Sequence, residues 1–379
     1  MKKIFLFTAA VVVSLSISAQ KQMHVWVNGN AINLPISQID SVTFTDPNAS
    51  DPNIPDPNPN PDPSTANGIG VFSVAEGKTI SFASGNLQFN AVQGSHLRAD
   101  GTTDKGTWRF AENQWDYVGE ANNEKIAENY DGWMDLFGWG TSGYDNTAND
   151  PMAVFYQPWS TNKKSLANIP KDSTLNCDSY EITGECEWEY TYFTSSEENK
   201  NEYGYGPSQG MADESLVGTS AYYDWGVYNA IGNGGNQTGS WRSLTRAEWE
   251  YLLDTRKNAQ FLRSQATVNN VKGYVLLPDD FKKPSDITWS HQANDWTTNT
   301  YSSEQWSALE ALGAVFLPAA GYRDGSNVSG VGLGGYYWSA TEYSNSSNLA
   351  YYLRFSSNQA IMFDGTRNYG RSVRLVKDL

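Results

Sequence analysis

Apolar and polar residues alternate most regularly near the C-terminus. In Tyr351–Ser356, Tyr351, Leu353 and Phe355 fall on one side and Tyr352, Arg354 and Ser356 on the other, the period-two pattern of a half-buried strand. Ser357-Asn-Gln359 predicts a turn. Ile361 and Phe363 then alternate with Met362 and Asp364, and Asp364-Gly365 is a hairpin signal. The last run, Ser372–Val376, turns Val373 and Leu375 inward, with Arg371 and Arg374 placed to tie the strand to carboxylates in a structural role. Upstream, short apolar runs predict strands at Val71–Val74, Thr79–Phe82, Thr107–Phe110, Gly273–Leu277 and Ala314–Leu317. Two segments carry helical spacing instead. Thr245 and Glu248 form a capping box ahead of Trp249, Tyr251, Leu252 and Leu253, predicting a helix over Thr245–Thr255. Ser302 and Gln305 do the same ahead of Trp306, Leu309 and Leu312. The fold class is therefore α+β, with short strands, two main helices and many irregular loops.

The N-terminus follows a different pattern. Residues 1–19 form a signal peptide, with Lys2 and Lys3 ahead of the apolar run Ile4–Ile17 and a cleavage site at Ser18-Ala19-Gln20. No Cys follows the run to accept a lipid, and no second apolar stretch is long enough to span a bilayer. The mature chain is expected to be exported, soluble and without a membrane span, in the periplasm, on the cell surface or outside the cell. Residues 20–45 form a small β unit, in which Met23–Val27 and Ala31–Leu34 flank the hairpin signal Asn28-Gly29 and Ile36–Phe44 adds an extended run. Residues 46–67 repeat Asp-Pro-Asn and form a semi-rigid linker. Residues 68–379 read as one domain.

Charge narrows the function. The formal charge is −16, and removing Lys2 and Lys3 leaves −18, with 24 basic against 42 acidic residues. Such a chain repels phosphate backbones, which excludes nucleic acid as a partner. The only cysteines, Cys177 and Cys186, have eight residues between them, which suits a disulfide in an oxidising compartment or two free thiols, but no metal site, because no His lies nearby. His24, His96 and His291 are isolated, the last two in loops, and Gly234–Gly239 is a turn without a Walker Lys. Trp133, Trp139, Trp241, Trp249, Trp306 and Trp338 read as core, and Tyr336 and Tyr337 as a pair that splits, one inward and one outward.

From Tyr336 to Tyr369, 16 of 34 residues are Tyr, Ser or Asn and none is Lys. Tyr brings rigid amphipathic area, while Ser and Asn bring adaptable hydrogen bonding; the mixture suits a binding surface rather than a core or an active site.

Several motifs carry a family resemblance. Trp241–Glu250 resembles a signature of the formylglycine-generating (sulfatase-modifying-factor-like) fold, and Gly370–Val376 resembles its terminal strand. Asp135–Gly143, Leu317–Arg323 and Tyr337–Ala340 resemble the Fibrobacter succinogenes major paralogous domain, a variant of the C-type lectin-like fold found in exported proteins of Bacteroidetes. Ile39–Phe44 resembles a small N-terminal element of such proteins. The resemblance covers residues 68–379 and implies fold more than function.

Some proteins of this kind resemble the variable proteins of diversity-generating retroelements, in which a C-terminal ligand-binding face is diversified. By that resemblance the ligand-binding positions are the outward ones: Tyr343, Asn345, Asn348, Tyr352, Arg354, Ser356, Asn358, Met362, Asp364, Arg367, Asn368 and Tyr369. The related oxidase uses late cysteines, whereas none follows Cys186 here, so that catalysis is not expected. Relatives hold Ca²⁺ in loops, and Asp324, Ser326 and Asn327 are placed to supply oxygens for a structural calcium; no other cofactor is expected. The resulting expectation is a non-catalytic, adhesin-like protein that binds a protein or glycan on another cell or host surface. The alternatives are a structural surface or fimbrial subunit and a formylglycine-generating-type enzyme.

Overall fold

The computed structural model describes strands 22–27 and 30–35 and residues 68–119, 132–144, 207, 213–291, 293–324, 327–344 and 349–379. The leader, the linker, Cys177, Cys186, Ser326, Asn345 and Asn348 lie outside the described residues. The chain divides into two units, Met1–Asn60 and Pro61–Leu379. In the first, β1 (Gln22–Val27) pairs antiparallel with β2 (Asn30–Pro35), Val27 opposite Asn30.

The second unit mixes strands with a few short helices. Strands β3 (Ile69–Ala75), β4 (Lys78–Phe82), β5 (Leu87–Leu97) and β6 (Thr103–Phe110) come first. The one-turn helix α1 (Trp225–Tyr228) and α2 (Arg246–Glu250) follow. Next come β7 (Arg263–Val268), β8 (Val271–Leu276), β9 (Thr300–Tyr301), α3 (Ser303–Glu310) and β10 (Val315–Pro318). The chain then runs through β11 (Tyr322–Asp324), β12 (Asn327–Ser329), β13 (Gly335–Glu342), β14 (Leu349–Phe355), β15 (Ala360–Thr366) and β16 (Val376–Asp378). The larger sheets order as β10-β8-β7-β9, β13-β14-β15 and β16-β4-β3. No helix among the described residues is long and apolar enough to cross a membrane.

Both capping boxes form. The Thr245 hydroxyl accepts from the Glu248 N–H at 3.3 Å, while the Glu248 carboxylate accepts from the Thr245 N–H at 2.8 Å. Ser302 and Gln305 make the same exchange at 3.2 and 3.0 Å. Each box satisfies donors that the first turn would otherwise leave open. The first helix is shorter in its α form than the expected Thr245–Thr255, since Tyr251–Thr255 continue as a π turn that still buries Leu252 and Leu253.

Segments far apart in sequence interlock around the tryptophans. The indole N–H of Trp338 donates to the Phe137 carbonyl at 2.7 Å and that of Trp139 to the Ser339 carbonyl at 2.7 Å. The Tyr337 hydroxyl donates to the Pro318 carbonyl at 2.9 Å, and Phe137 and Arg371 exchange backbone bonds at 3.0 Å. Gly321 sits at φ +72°, where a Cβ would run into the Ser329 carbonyl, so the Leu317–Arg323 run needs glycine there. Trp139, Trp241, Trp249, Trp306 and Trp338 are buried, as expected. Trp133 differs: it is half-buried, with the Arg109 guanidinium 3.8 Å from its ring. His96 also departs from the loop expectation. It is buried in β5, with Nδ1 2.9 Å from the Gly106 carbonyl, and burial lowers its pKa.

The C-terminal arginines find carbonyls and rings rather than carboxylates. Arg374 donates to the carbonyls of Phe316 (2.7 Å) and Ala83 (3.1 Å) and to Asn86 Oδ1 (3.1 Å). Arg371 donates to the Thr366 carbonyl at 3.1 Å and lies 3.9 Å from the Tyr352 ring and 4.2 Å from the Trp338 ring. Burial pushes the pKa of each guanidinium down to about 10, so both stay charged at neutral pH. Ser372–Val376 buries residues of both parities, because Arg374 inserts opposite Val373 and Leu375.

Asp224 carries a pH dependence. Its carboxylate accepts from the Gly226 N–H at 3.1 Å and the Ser243 N–H at 2.7 Å. Burial pushes its pKa up to about 6, against the pull of those two bonds. A carboxyl with a folded pKa above its unfolded value stabilises the fold below the unfolded pKa, and that contribution is lost as pH rises through about 6. Between about pH 4 and 7 the thermal midpoint of the wild type should therefore fall with rising pH more steeply than that of Asp224→Asn. Parallel slopes would remove Asp224 as the titrating group.

Candidate binding face

The sheet β13-β14-β15 positions the candidate residues. Its register sets cross-strand rows: Tyr337–Leu353–Met362 and Gly335–Phe355–Ala360 on one face, Tyr336–Arg354–Ile361 and Trp338–Tyr352–Phe363 on the other. The first face closes the core. Tyr337, Leu353 and Phe355 are fully buried, and Met362 packs against the same cluster. The second face is layered: Trp338 and Tyr352 lie buried under Arg371, while Ile361 (42%) and Phe363 (44%) remain open to solvent.

The open part of that face is aromatic, with a half-buried cation. The Arg354 guanidinium lies 5.8 Å from the Phe363 ring, and Phe363 meets Tyr352 edge-on at 6.1 Å. Tyr322 meets Tyr336 at 5.0 Å and stacks on Tyr369 at 5.8 Å and 9°. Burial raises the Tyr336 pKa, with Arg354 opposing it. Burial, then the neighbouring Asp324 carboxylate, raises that of Tyr369, whose hydroxyl is hydrogen-bonded to the same carboxylate. Half-buried rings with fixed neighbours offer contact area at small entropic cost.

The expected outward set splits. Asn358 is exposed, and Tyr343, Arg354, Ser356, Asn368 and Tyr369 are half-buried. Tyr352 and Arg367 are not outward: they are 5% and 2% exposed. Tyr352 is covered by Arg371, whereas Arg367 donates to the carbonyls of Pro207 (2.9 Å) and Leu349 (3.2 Å) and lies 4.3 Å from the Trp139 ring. Burial lowers the Arg367 pKa to about 10.

Met362 and Asp364 fall on the opposite face from Arg354. Met362 packs on the core, and Asp364 pairs across the sheet with Tyr351, over which the Arg246 guanidinium sits at 4.1 Å. Asn345 and Asn348 lie outside the described residues. Ile361, Phe363, Tyr322 and Tyr336 are the face residues absent from the expected set. The alternation of Ile361 and Phe363 is plain in the sequence, but its side is set by the turn before it.

The hairpin expected at Asp364-Gly365 does not form there. Gly365 lies inside β15, where a Cβ would meet the Arg371 guanidinium at 2.6 Å and the Tyr352 ring at 3.0 Å. That glycine admits a close approach rather than a turn. Near the proposed calcium residues, Asp324 pairs across its hairpin with Asn327. Among the described residues, no group of three His, Cys, Asp or Glu could hold a metal.

Residues 289–376 match a protein family described as a domain of unknown function (DUF8237), which covers less than half of the chain. That segment includes the whole of the sheet β13-β14-β15. No curated protein and no solved structure matches the chain.

Proposed function

We propose that the chain is a non-catalytic, adhesin-like binding module of an exported protein, and that its folded unit is a variant of the C-type lectin-like fold. Its ligand is a protein or glycan on another cell or host surface, and its contact patch is the open part of the outer β13-β14-β15 face. One observation carries this reading: Ile361 and Phe363 stand 42% and 44% exposed beside Arg354, while Tyr337, Leu353 and Phe355 on the opposite face of the same sheet are buried in the core. Exposed apolar side chains next to an arginine on a rigid support are the composition of interaction hot spots. The interlocking of the Asp135–Gly143, Tyr337–Ala340 and Gly370–Val376 runs makes those motifs framework, which agrees with a domain whose specificity lies in side chains outside them.

Arrays of defined glycans and purified surface proteins, probed with the wild type and with Ile361→Asp/Phe363→Ser, test the patch. Captured ligands should bind the double variant about thirtyfold more weakly, a loss of about 2 kcal/mol. Its thermal midpoint should change little, since both side chains are outside the core. Equal capture by both proteins would displace the site from this face. Growth of the purified protein into assemblies as concentration rises would make it a structural subunit instead.

A further inference from the structure

A groove of about 530 Å³ opens beside the turn that joins β14 to β15. Five side-chain amides line it: Gln260, Gln265, Asn294, Asn358 and Gln359. None of the described lining residues is a carboxylate, in a chain with 42 acidic residues. Its guanidinium is already engaged, because Arg263 pairs with Asp254 at 2.7 Å and donates to the Tyr274 hydroxyl at 3.3 Å. The turn itself is braced: Gln265 Nε2 donates to the Ser356 carbonyl at 3.2 Å, and the Ser356 hydroxyl bonds Asn358 Oδ1 at 2.9 Å. The side-chain amides of Gln260, Asn294 and Gln359 bond to no described residue and stand ready for a ligand. Ala293, Ala360 and Ile361 add apolar surface between them.

We propose that this groove binds a neutral saccharide. Each amide offers a donor and an acceptor in one plane, and a sugar ring offers adjacent hydroxyls that each donate and accept. The ring's C–H face suits the apolar floor, and the volume is that of a small-molecule site. A cation would find no carboxylate among the described lining residues, and an anion would meet only Arg263, already paired, and His291, whose ring packs edge-on against Phe261 at 4.6 Å. A peptide strand is disfavoured at the neighbouring β7 edge, because Asn299 occupies it: its Nδ2 donates to the Gln265 carbonyl at 2.9 Å and its Oδ1 accepts from the Ser290 N–H at 2.8 Å. The groove does not depend on the contact patch, although Ile361 borders both.

Calorimetric titration of the full chain with maltotriose, mannotriose, N,N′,N″-triacetylchitotriose and a galacturonate trimer tests the proposal. At least one neutral trimer should bind saturably, and Asn294→Ala/Gln359→Ala should weaken it about tenfold or more. Both side chains are exposed, so circular dichroism should show the fold intact. Phe363→Ala should leave the titration unchanged, which separates this groove from the patch. Absence of binding by every neutral trimer, preference for galacturonate, undiminished affinity in the double variant, or loss of affinity in Phe363→Ala would each overturn the proposal.

Discussion

Arg374→Ala should lower the stability of the domain by about 4 kcal/mol or more, a large part of the roughly 5–15 kcal/mol that holds a typical domain together. The guanidinium is 2% exposed and bonds the Phe316 and Ala83 carbonyls and Asn86 Oδ1 at 2.7–3.1 Å. Removing it leaves three buried acceptors without donors, at roughly 1–3 kcal/mol each before relaxation, and opens a cavity. Arg374→Met restores most of the volume but none of the bonds, so it should recover only a minor share. Arg374→Lys keeps the charge but cannot fork to three acceptors at once. Denaturant midpoints of the three variants measure this. Equal stability of the methionine variant and wild type would mean that packing, not hydrogen bonding, is what Arg374 supplies.

Glu248→Gln should cost about 3 kcal/mol above pH 5, and the difference from wild type should vanish in acid. The Glu248 carboxylate accepts from Arg242 twice at 2.8 Å, from Lys78 at 2.7 Å and from the Thr245 N–H at 2.8 Å. Burial opposes ionisation, but these bonds, led by Arg242, outweigh it and hold the pKa down to about 2. A carboxylate with a depressed folded pKa contributes stability above its unfolded pKa and loses it as pH falls through the folded one. The window therefore runs from about pH 4.5 down to about 2. A depression of that size corresponds to about 3 kcal/mol, in line with breaking a buried ion pair. Chemical denaturation of both proteins across that range reads it directly. An unchanging difference between them would show that Glu248 is not the acid-sensitive group. Its sign is opposite to that of Asp224, whose ionisation weakens the fold as pH rises through about 6.

Local chemistry was legible in the sequence where it was local in cause. Both capping boxes, the strand periodicities around Phe72, Ile80, Trp108 and Tyr274, and the split of Tyr336 and Tyr337 between the two sides of their strand follow from spacing alone, although which of the two turns inward does not. The outer face did not, for two reasons. A turn read as Ser357–Gln359 would place Ser356 opposite Ala360; instead Phe355 pairs with Ala360, and the loop is one residue longer. A shift of one residue moves every following side chain to the other face, so Ile361 and Phe363 replace Met362 and Asp364 beside Arg354. The burial of Tyr352 and Arg367 has a distant cause, since both are covered by side chains or loops that strand alternation does not register. Glycine at 365 likewise signals a turn in the local sequence but serves the approach of Arg371 in the fold.

Because Tyr337, Leu353, Phe355 and Met362 fill the interior from one side of the sheet, positions 354, 361 and 363 carry little of the folding free energy. The sheet is in effect a printing plate with replaceable type. Randomised codons at those three positions should yield a library whose members melt alike and differ only in what they grip, making this chain a ready chassis for selecting new affinity reagents.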